Sequence, residues 1–359
     1  MATIERTWTH FPGRPYPQEE LSAYLPSWLS GPKLALAQQL FRRSGVASRN
    51  LVAPPEELVR LGRSFSAKND RYRAEIREIC GNIARSILEG TTHEERRSID
   101  MLVTASCTGF QIPAMDAELV AALGLRPTIR RVNLTQHGCS AGAAGVGLAH
   151  EWLAANSDKR ALVVCAELCS LTFQMEDTTE ENLVSAAIFG DGAAAVLLSG
   201  DKAAGRQSAS GPKVRIRNTY REIFDGTEHF MGFEVNDAGL KIKLSRDVVP
   251  FCKDKLGAVL ARACDKWCLP SPVALTLGAV HPGGRRILEV LEDDVGLPTS
   301  VTRTSWDCLS QHGNLSSATV LVTLDRLLAD RDKLEPGTFG LLSAFGPGFC
   351  AELGLLEVV

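Results

Sequence analysis

The chain of 359 residues predicts a duplicated α/β fold, on three observations. The hexapeptide Leu134-Thr135-Gln136-His137-Gly138-Cys139 recurs as Leu309-Ser310-Gln311-His312-Gly313-Asn314, 175 residues later, with Cys in the first copy and Asn in the second. Each copy precedes a small-residue-rich amphipathic stretch, Ser140 to Asn156 and Leu315 to Asp330, so each reads as a loop entering a helix. Upstream, the apolar run Met101 to Ala105 ends near Cys107 and the run Ala274 to Val280 ends at His281, an offset of 174. Two landmarks in one order at nearly one spacing favour internal duplication of alternating strands and helices.

Taken in order, residues 17–90 are expected to be helical, with Ile76, Ile79, Cys80, Ile83 and Ile87 forming one apolar stripe. Pro54-Pro55-Glu56-Glu57 is a helix start, with proline in the first turn and acids facing the dipole. From Asp100, apolar runs alternate with Gly-rich turns and helices: Met101 to Ala105, Thr128 to Leu134, Ala161 to Cys165 and Ala193 to Leu198. Such runs are typical of strands buried on both faces. Lys202 to Lys213 reads as the surface connection between an N-terminal half, 1–213, which carries the helical region, and a C-terminal half, 214–359. Beyond it, Val214 to Arg217 and Gly239 to Leu244 read as short strands and Val248 to Trp267 as a helix. The repeated unit then begins, and the chain closes with Gly340 to Ser343, a Gly-Pro loop and Ala351 to Glu357.

Composition removes several function classes. A net charge of −3 without a Lys/Arg run disfavours nucleic acid. Met1 to Tyr16 lacks an apolar signal region and no stretch reaches the length of a membrane span, so a cytoplasmic protein is expected. Ten cysteines are dispersed without a CxxC pair, and Cys165/Cys169 and Cys264/Cys268 lack a matching pair for zinc; no metal and no cofactor are expected.

One cysteine stands apart by position. Cys139 just inside a helix start sees free N–H groups and the positive end of the dipole, which favour thiolate. Of the seven histidines, His137 shares its turn with His312, which precedes Asn rather than Cys, so both serve the turn. His150 lies about 16 Å along the helix, out of reach. His281 ends a strand and opens Pro282-Gly283-Gly284; duplication would set it beside Asn314 as Cys107 sits beside Cys139. Neutral His and Asn donors suit a reaction that develops negative charge on a thioester oxygen, and the same His can pair with a thiolate.

From about residue 40 to the C-terminus the sequence resembles the chalcone-synthase-like type III polyketide synthases, in their bacterial form. The motifs are Gly138-Cys139-Ser140-Ala141-Gly142, Phe189-Gly190-Asp191-Gly192-Ala193-Ala194, Val280-His281-Pro282-Gly283-Gly284, Gly313-Asn314-Leu315-Ser316-Ser317 and Phe345-Gly346-Pro347-Gly348. The resemblance implies the thiolase-like fold, a five-layer α-β-α-β-α architecture, and a homodimer. It implies that Cys139 carries the acyl chain from an acyl-CoA starter, and that His281 and Asn314 hold malonyl-CoA and stabilise the enolate formed as carbon dioxide leaves. Phe189 matches a gatekeeping aromatic and Arg49 a CoA-binding cation. Cys107, Thr108, Cys169, Thr172, Phe233, Ile242, Ser316, Gly346 and Pro347 match the cavity wall, and Ile112 matches a residue that crosses the dimer interface.

Ile242 stands where plant members carry Phe, and Phe233 at or near a normally small position, so an aliphatic starter and a pyrone or resorcinol-type product are expected. The alternatives are a carrier-protein-dependent β-ketoacyl synthase III-type enzyme making a single condensation, a Cys hydrolase, and a catalytically silent scaffold on this fold.

Overall fold

The computed structural model describes residues 1–204, 212–330 and 334–359. The N-terminal half opens with β1 (Ala2–His10) and β2 (Pro15–Pro17), followed by α1 (Gln18–Ala23), α2 (Gly31–Arg43), β3 (Ser48–Asn50), α3 (Pro55–Leu61), α4 (Phe65–Gly90) and α5 (His93–Arg97). Then come β4 (Ile99–Ala105), α6 (Met115–Leu123), β5 (Arg130–Asn133), α7 (Ala141–Ala155), β6 (Arg160–Leu168), α8 (Glu180–Ile188), β7 (Asp191–Gly200) and α9 (Asp201–Ala204). The C-terminal half holds β8 (Val214–Ile223), the hairpin β9 (Met231–Asn236) and β10 (Gly239–Leu244), α10 (Val248–Trp267), β11 (Leu275–Val280), α11 (Arg285–Glu289), α12 (Thr299–His312), α13 (Thr319–Ala329), β12 (Phe339–Gly346) and β13 (Cys350–Val358).

Nine strands run in the order β11-β12-β13-β8-β1-β7-β6-β4-β5. The order is symmetric about β1 and β8, which meet over only three residue pairs, Ala2–Ile4 against Val214–Ile216. On one side β4 pairs parallel with β6, and β6 antiparallel with β7. On the other, β11 pairs parallel with β12, and β12 antiparallel with β13. The duplication is therefore visible in the pairing itself.

Side-chain alternation builds the layers. Met101, Val103 and Ala105, with Leu277, Ala279 and Leu342, face a central core that holds α7 and α13. Leu102, Leu162 and Val164 face the opposite way, onto α4 and α6. Leu341, Leu353 and Leu355 turn to α10 and α12. Both faces of each half-sheet are covered, which explains the near-continuous apolar runs. The result is the five-layer α-β-α-β-α, thiolase-like architecture.

Local structure departs from or adds to the expectations at five points. Residues 17–90 are not uniformly helical, because β3 breaks the run to pair with β2. The first ten residues form a strand of the main sheet, consistent with their β-branched and aromatic content, Thr3, Ile4, Thr7, Trp8 and Thr9. β5 is an exposed edge strand rather than one buried on both faces: Arg130, Arg131 and Asn133 are exposed. The second hexapeptide is not a loop, since Leu309 to His312 complete the last turn of α12. Val301, Thr304, Ser305, Cys308 and Leu309 are buried at helical spacing, which carries the helix on until Gly313 at φ 71° ends it. The connection expected at 202–213 begins inside α9, and its residues 205–211 lie outside the described residues.

At the centre, α7 meets the start of α13 through Gly142. A Cβ there would overlap the Ser317 carbonyl oxygen and come within 2.6 Å of Val320 Cγ1. Gly142→Ala should therefore lower unfolding free energy by about 1–3 kcal/mol despite its better helix propensity. Urea titration of the two proteins checks this, and an unchanged midpoint would show that the helices part freely.

Candidate active site

Cys139, His281 and Asn314 together line a cavity of about 430 Å³. Cys139 sits in the 3-10 turn Gly138–Ser140 that leads into α7. Gly138 adopts φ 54°, and a Cβ on it would come within 2.6 Å of the Pro347 ring, so only glycine lets the turn rest there. Ser140 Oγ donates to the His137 carbonyl at 2.8 Å, and Gly346 backs the turn against Ser140. The Cys139 thiol donates to Ser316 Oγ at 3.6 Å.

Asn314 enters from the end of α12 and is held from every side. Its Nδ2 donates to the Gly283 carbonyl at 2.7 Å, and its Oδ1 accepts from the Ser316 backbone N–H at 2.8 Å. These bonds fix which way the amide faces and leave one Nδ2 hydrogen uncommitted. Its backbone bridges to Phe189, with Asn314 N donating to the Ile188 carbonyl and Gly190 N to the Asn314 carbonyl. Ser316 holds φ 49°, a left-handed conformation unusual for a residue with a side chain and common where geometry serves a site.

His281 follows β11, and its backbone N–H donates to the Ser343 carbonyl at 2.7 Å. The ring is 2% exposed, and burial pushes its pKa down to about 3, so it is neutral at physiological pH. Nδ1 finds no partner among the described residues. The Cys139 pKa moves opposite to the helix-start expectation. Burial, with a smaller contribution from Glu167, pushes it up to about 12 and outweighs the Ser316 and backbone hydrogen bonds. At rest the pair is thiol and imidazole.

The other expected residues divide. Cys107, Thr108, Cys169, Thr172, Phe189, Phe233, Ile242, Ser316 and Pro347 line the same cavity. Phe233 and Ile242 are cross-strand partners on the β9–β10 hairpin. Ile112 is 82% exposed on a surface loop, outside this chain's cavity. Arg49 needs correction. Rather than standing at an entrance, it is buried, and its guanidinium donates to the carbonyls of Phe189, at 2.6 Å, and Ala186. It is a strut behind Phe189, and burial lowers its pKa to about 10. His312 stacks on Phe11 with ring centroids 3.9 Å apart and lies 2.9 Å from Arg326, away from the cavity.

Two groups of residues escaped the sequence reading. Glu167, fully buried in β6, accepts from Cys107 N at 3.0 Å, Thr108 Oγ1 at 2.8 Å and Ser317 Oγ. Burial raises its pKa against these bonds. A lone carboxylate in an apolar strand was the available signal. The second group, Met231, Leu244, Val248, Cys252 and Phe349, forms an aliphatic and aromatic wall from the C-terminal half. Among the described residues no cluster of ligating side chains could hold a metal ion, and no helix is long and apolar enough to cross a membrane.

Two outcomes follow from this geometry. On the roles that the resemblance implies for these cavity residues, Cys139→Ala should abolish radiolabelled acyl loading, whereas His281→Ala should retain some loading and lose malonyl decarboxylation by about 100-fold or more; full decarboxylation by His281→Ala would remove it from the chemistry. The second concerns acid stability. With His281 at about 3 in the fold against the ordinary 6.5, the unfolded chain takes up a proton that the folded chain refuses. Stability is full above pH 6.5 and falls as pH drops towards 3, so His281→Gln should flatten that fall. Denaturant titrations across this window measure the difference.

Comparison with known proteins agrees with the geometry. Residues 40–202 match the family described as chalcone and stilbene synthases, N-terminal domain, and residues 215–359 match the corresponding C-terminal domain. The chain is 35% identical to a 1,3,6,8-tetrahydroxynaphthalene synthase of Streptomyces peucetius subsp. caesius, over 97% of this chain and 91% of the relative. It is 30% identical to a phloroglucinol synthase of Pseudomonas fluorescens, over 99% of each. The crystal structure of the tetrahydroxynaphthalene synthase from Streptomyces coelicolor A3(2), a bacterial type III polyketide synthase, superposes with a TM-score of 0.89 at 29% identity and covers 99% of both chains. With both family domains in order along one chain, and a thiol, an imidazole and a carboxamide sharing one cavity, this protein belongs to the chalcone and stilbene synthase family and is a type III polyketide synthase, an acyltransferase.

Proposed function

We propose that the chain accepts an aliphatic acyl group from CoA onto Cys139, extends it repeatedly with malonyl-CoA, and releases it as a pyrone or resorcinol-type product. The observation that carries the starter class is the cavity wall, where Ile242, Leu240, Leu244, Val248 and Cys252 offer aliphatic and thiol surface. An alkyl chain gains there from burial, while a flat aromatic starter finds no ring to stack on at Ile242.

In the mechanism, Cys139 Sγ attacks the starter thioester as its proton passes to His281, and CoA leaves with that proton. Malonyl-CoA then binds with its thioester oxygen towards His281 and the uncommitted N–H of Asn314. Loss of carbon dioxide leaves an enolate whose oxygen these two donors stabilise; its carbon attacks the acyl-Cys139 carbonyl, the carbon–sulfur bond breaks, and Cys139 leaves as a thiolate that takes a proton from solvent. The new β-ketoacyl chain, on CoA, returns to Cys139 for the next round. No cofactor enters these steps. Phe189, pinned by Arg49, stands at the gate between CoA and the cavity.

The assembly we propose is a homodimer. Ile112 and Phe110, 82% and 64% exposed on one loop, are apolar side chains suited to reaching a partner subunit.

A second reading has a polyhydroxylated aromatic product built from malonyl units alone; the name of the tetrahydroxynaphthalene synthase relative supports the product class. Purified protein incubated with malonyl-CoA alone and with acyl-CoAs of graded length separates the two. Incorporation of medium or long acyl chains with two or more extensions is expected, and product from malonyl-CoA alone at equal rate would favour the second reading. Extension by one unit only would sink both. Ile242→Phe should shift preference to shorter starters by about tenfold in kcat/KM.

A further inference from the structure

Lys68 is 4% exposed in the first turn of α4, yet no ion pair with a carboxylate is found for it among the described residues. Its Nζ donates to two backbone carbonyls, Phe173 at 2.7 Å and Ala238 at 3.0 Å. These carbonyls adjoin two separate segments that line the cavity. Phe173 directly follows the 3-10 turn Cys169–Thr172, which carries Cys169 and Thr172. Ala238 lies in the turn of the β9–β10 hairpin, which carries Phe233, Leu240 and Ile242.

The hairpin needs such a hold. It is a two-stranded sheet outside the nine-stranded one, and four of the six residues of β9 are exposed, so little core fixes it. A second link joins the same two segments: the side-chain amides of Gln174 and Asn236 exchange hydrogen bonds at 3.1 Å. Phe65 N, at the start of α4, donates to the Asp237 carbonyl at 3.1 Å. Burying an ammonium without an anion is unfavourable, as the fall of its pKa to about 8 reflects, and an apolar side chain of that length would be cheaper for stability alone. What the ammonium adds is direction, through two charge-assisted bonds that set the spacing of two loops.

We propose that Lys68 is a positioning residue that staples the β9–β10 hairpin to the Cys169–Thr172 turn, and thereby limits the length of the chain that grows between them. The chain-length part rests on the cavity reading given under Proposed function; the staple itself does not.

The test compares full-length Lys68→Met, which keeps the stem and loses the charge, with Lys68→Arg, which keeps donors. Without substrate, hydrogen exchange of amides in 231–244 should quicken about tenfold or more in Lys68→Met, with the Cys139 turn unchanged. With substrates, the share of products carrying an additional extension should rise about threefold or more, the rate of malonyl decarboxylation should hold, and Lys68→Arg should restore the wild-type product ratio. Unchanged hairpin exchange overturns the staple. Faster exchange with an unchanged product ratio overturns the link to chain length and leaves the starter assignment untouched. If Lys68→Met does not accumulate folded, Lys68→Gln, with a single amide donor on a shorter stem, is read by the same two measurements.

Discussion

The contact on which the molecule depends is that between α7 and the start of α13, buried between the two half-sheets. It is close because Gly142 presents no side chain to the Ser317 carbonyl. Burial of most of their surface explains the composition of both helices, Ala and Gly in α7 and Val and Leu in α13. It also fixes where they begin. Both starts open onto one cavity, so Cys139 at the entry of α7 and Ser316 before α13 come within hydrogen-bond range. The strand ends that flank them, β4 and β11, deliver Cys107 and His281 to the same space. The site is thus a consequence of packing two copies of one unit back to back.

The parts of the fold legible in the sequence were those whose pattern has a single physical cause. Val248 to Trp267 alternates buried and exposed residues at helical period, and the helix spans those residues. Strands buried on both faces show as apolar runs of characteristic length, which located β4, β6 and β7. Identical letters were less informative where tertiary context differs. Leu-Thr-Gln-His-Gly leaves a strand in the first half, while Leu-Ser-Gln-His-Gly ends a helix in the second, because β5 has no counterpart before α13. The offset of Cys107 to His281 was the better guide, since strand ends are set by the sheet and not by local turn chemistry.

For the site, identities were readable and depth was not. In sequence a basic residue looks the same whether it meets solvent or, like Arg49, carbonyls in the interior. The residues Val248, Cys252 and Phe349 have the composition of core, and they border a cavity only because neighbouring segments stop short of filling it. Likewise, a cysteine at a helix start carries the signal for a lowered pKa, and burial, which dominates here, leaves no local mark.

That burial constrains what chemistry the cavity can support. Desolvation is the first cause of the raised pKa values of Cys139 and Glu167 and of the lowered value of His281. Burial thus favours the uncharged thiol and the uncharged imidazole, and Glu167 nearby adds to the disadvantage of a thiolate. In the mechanism proposed above, attack by Cys139 is then accompanied by proton transfer while substrate keeps water out. The same dryness favours an enolate as the anion to accommodate. Its charge develops on an oxygen, where donors fixed in advance act strongly because no solvent must reorganise around them. Asn314 meets that condition, its amide locked by Gly283 on one side and the Ser316 backbone on the other, with one N–H left over.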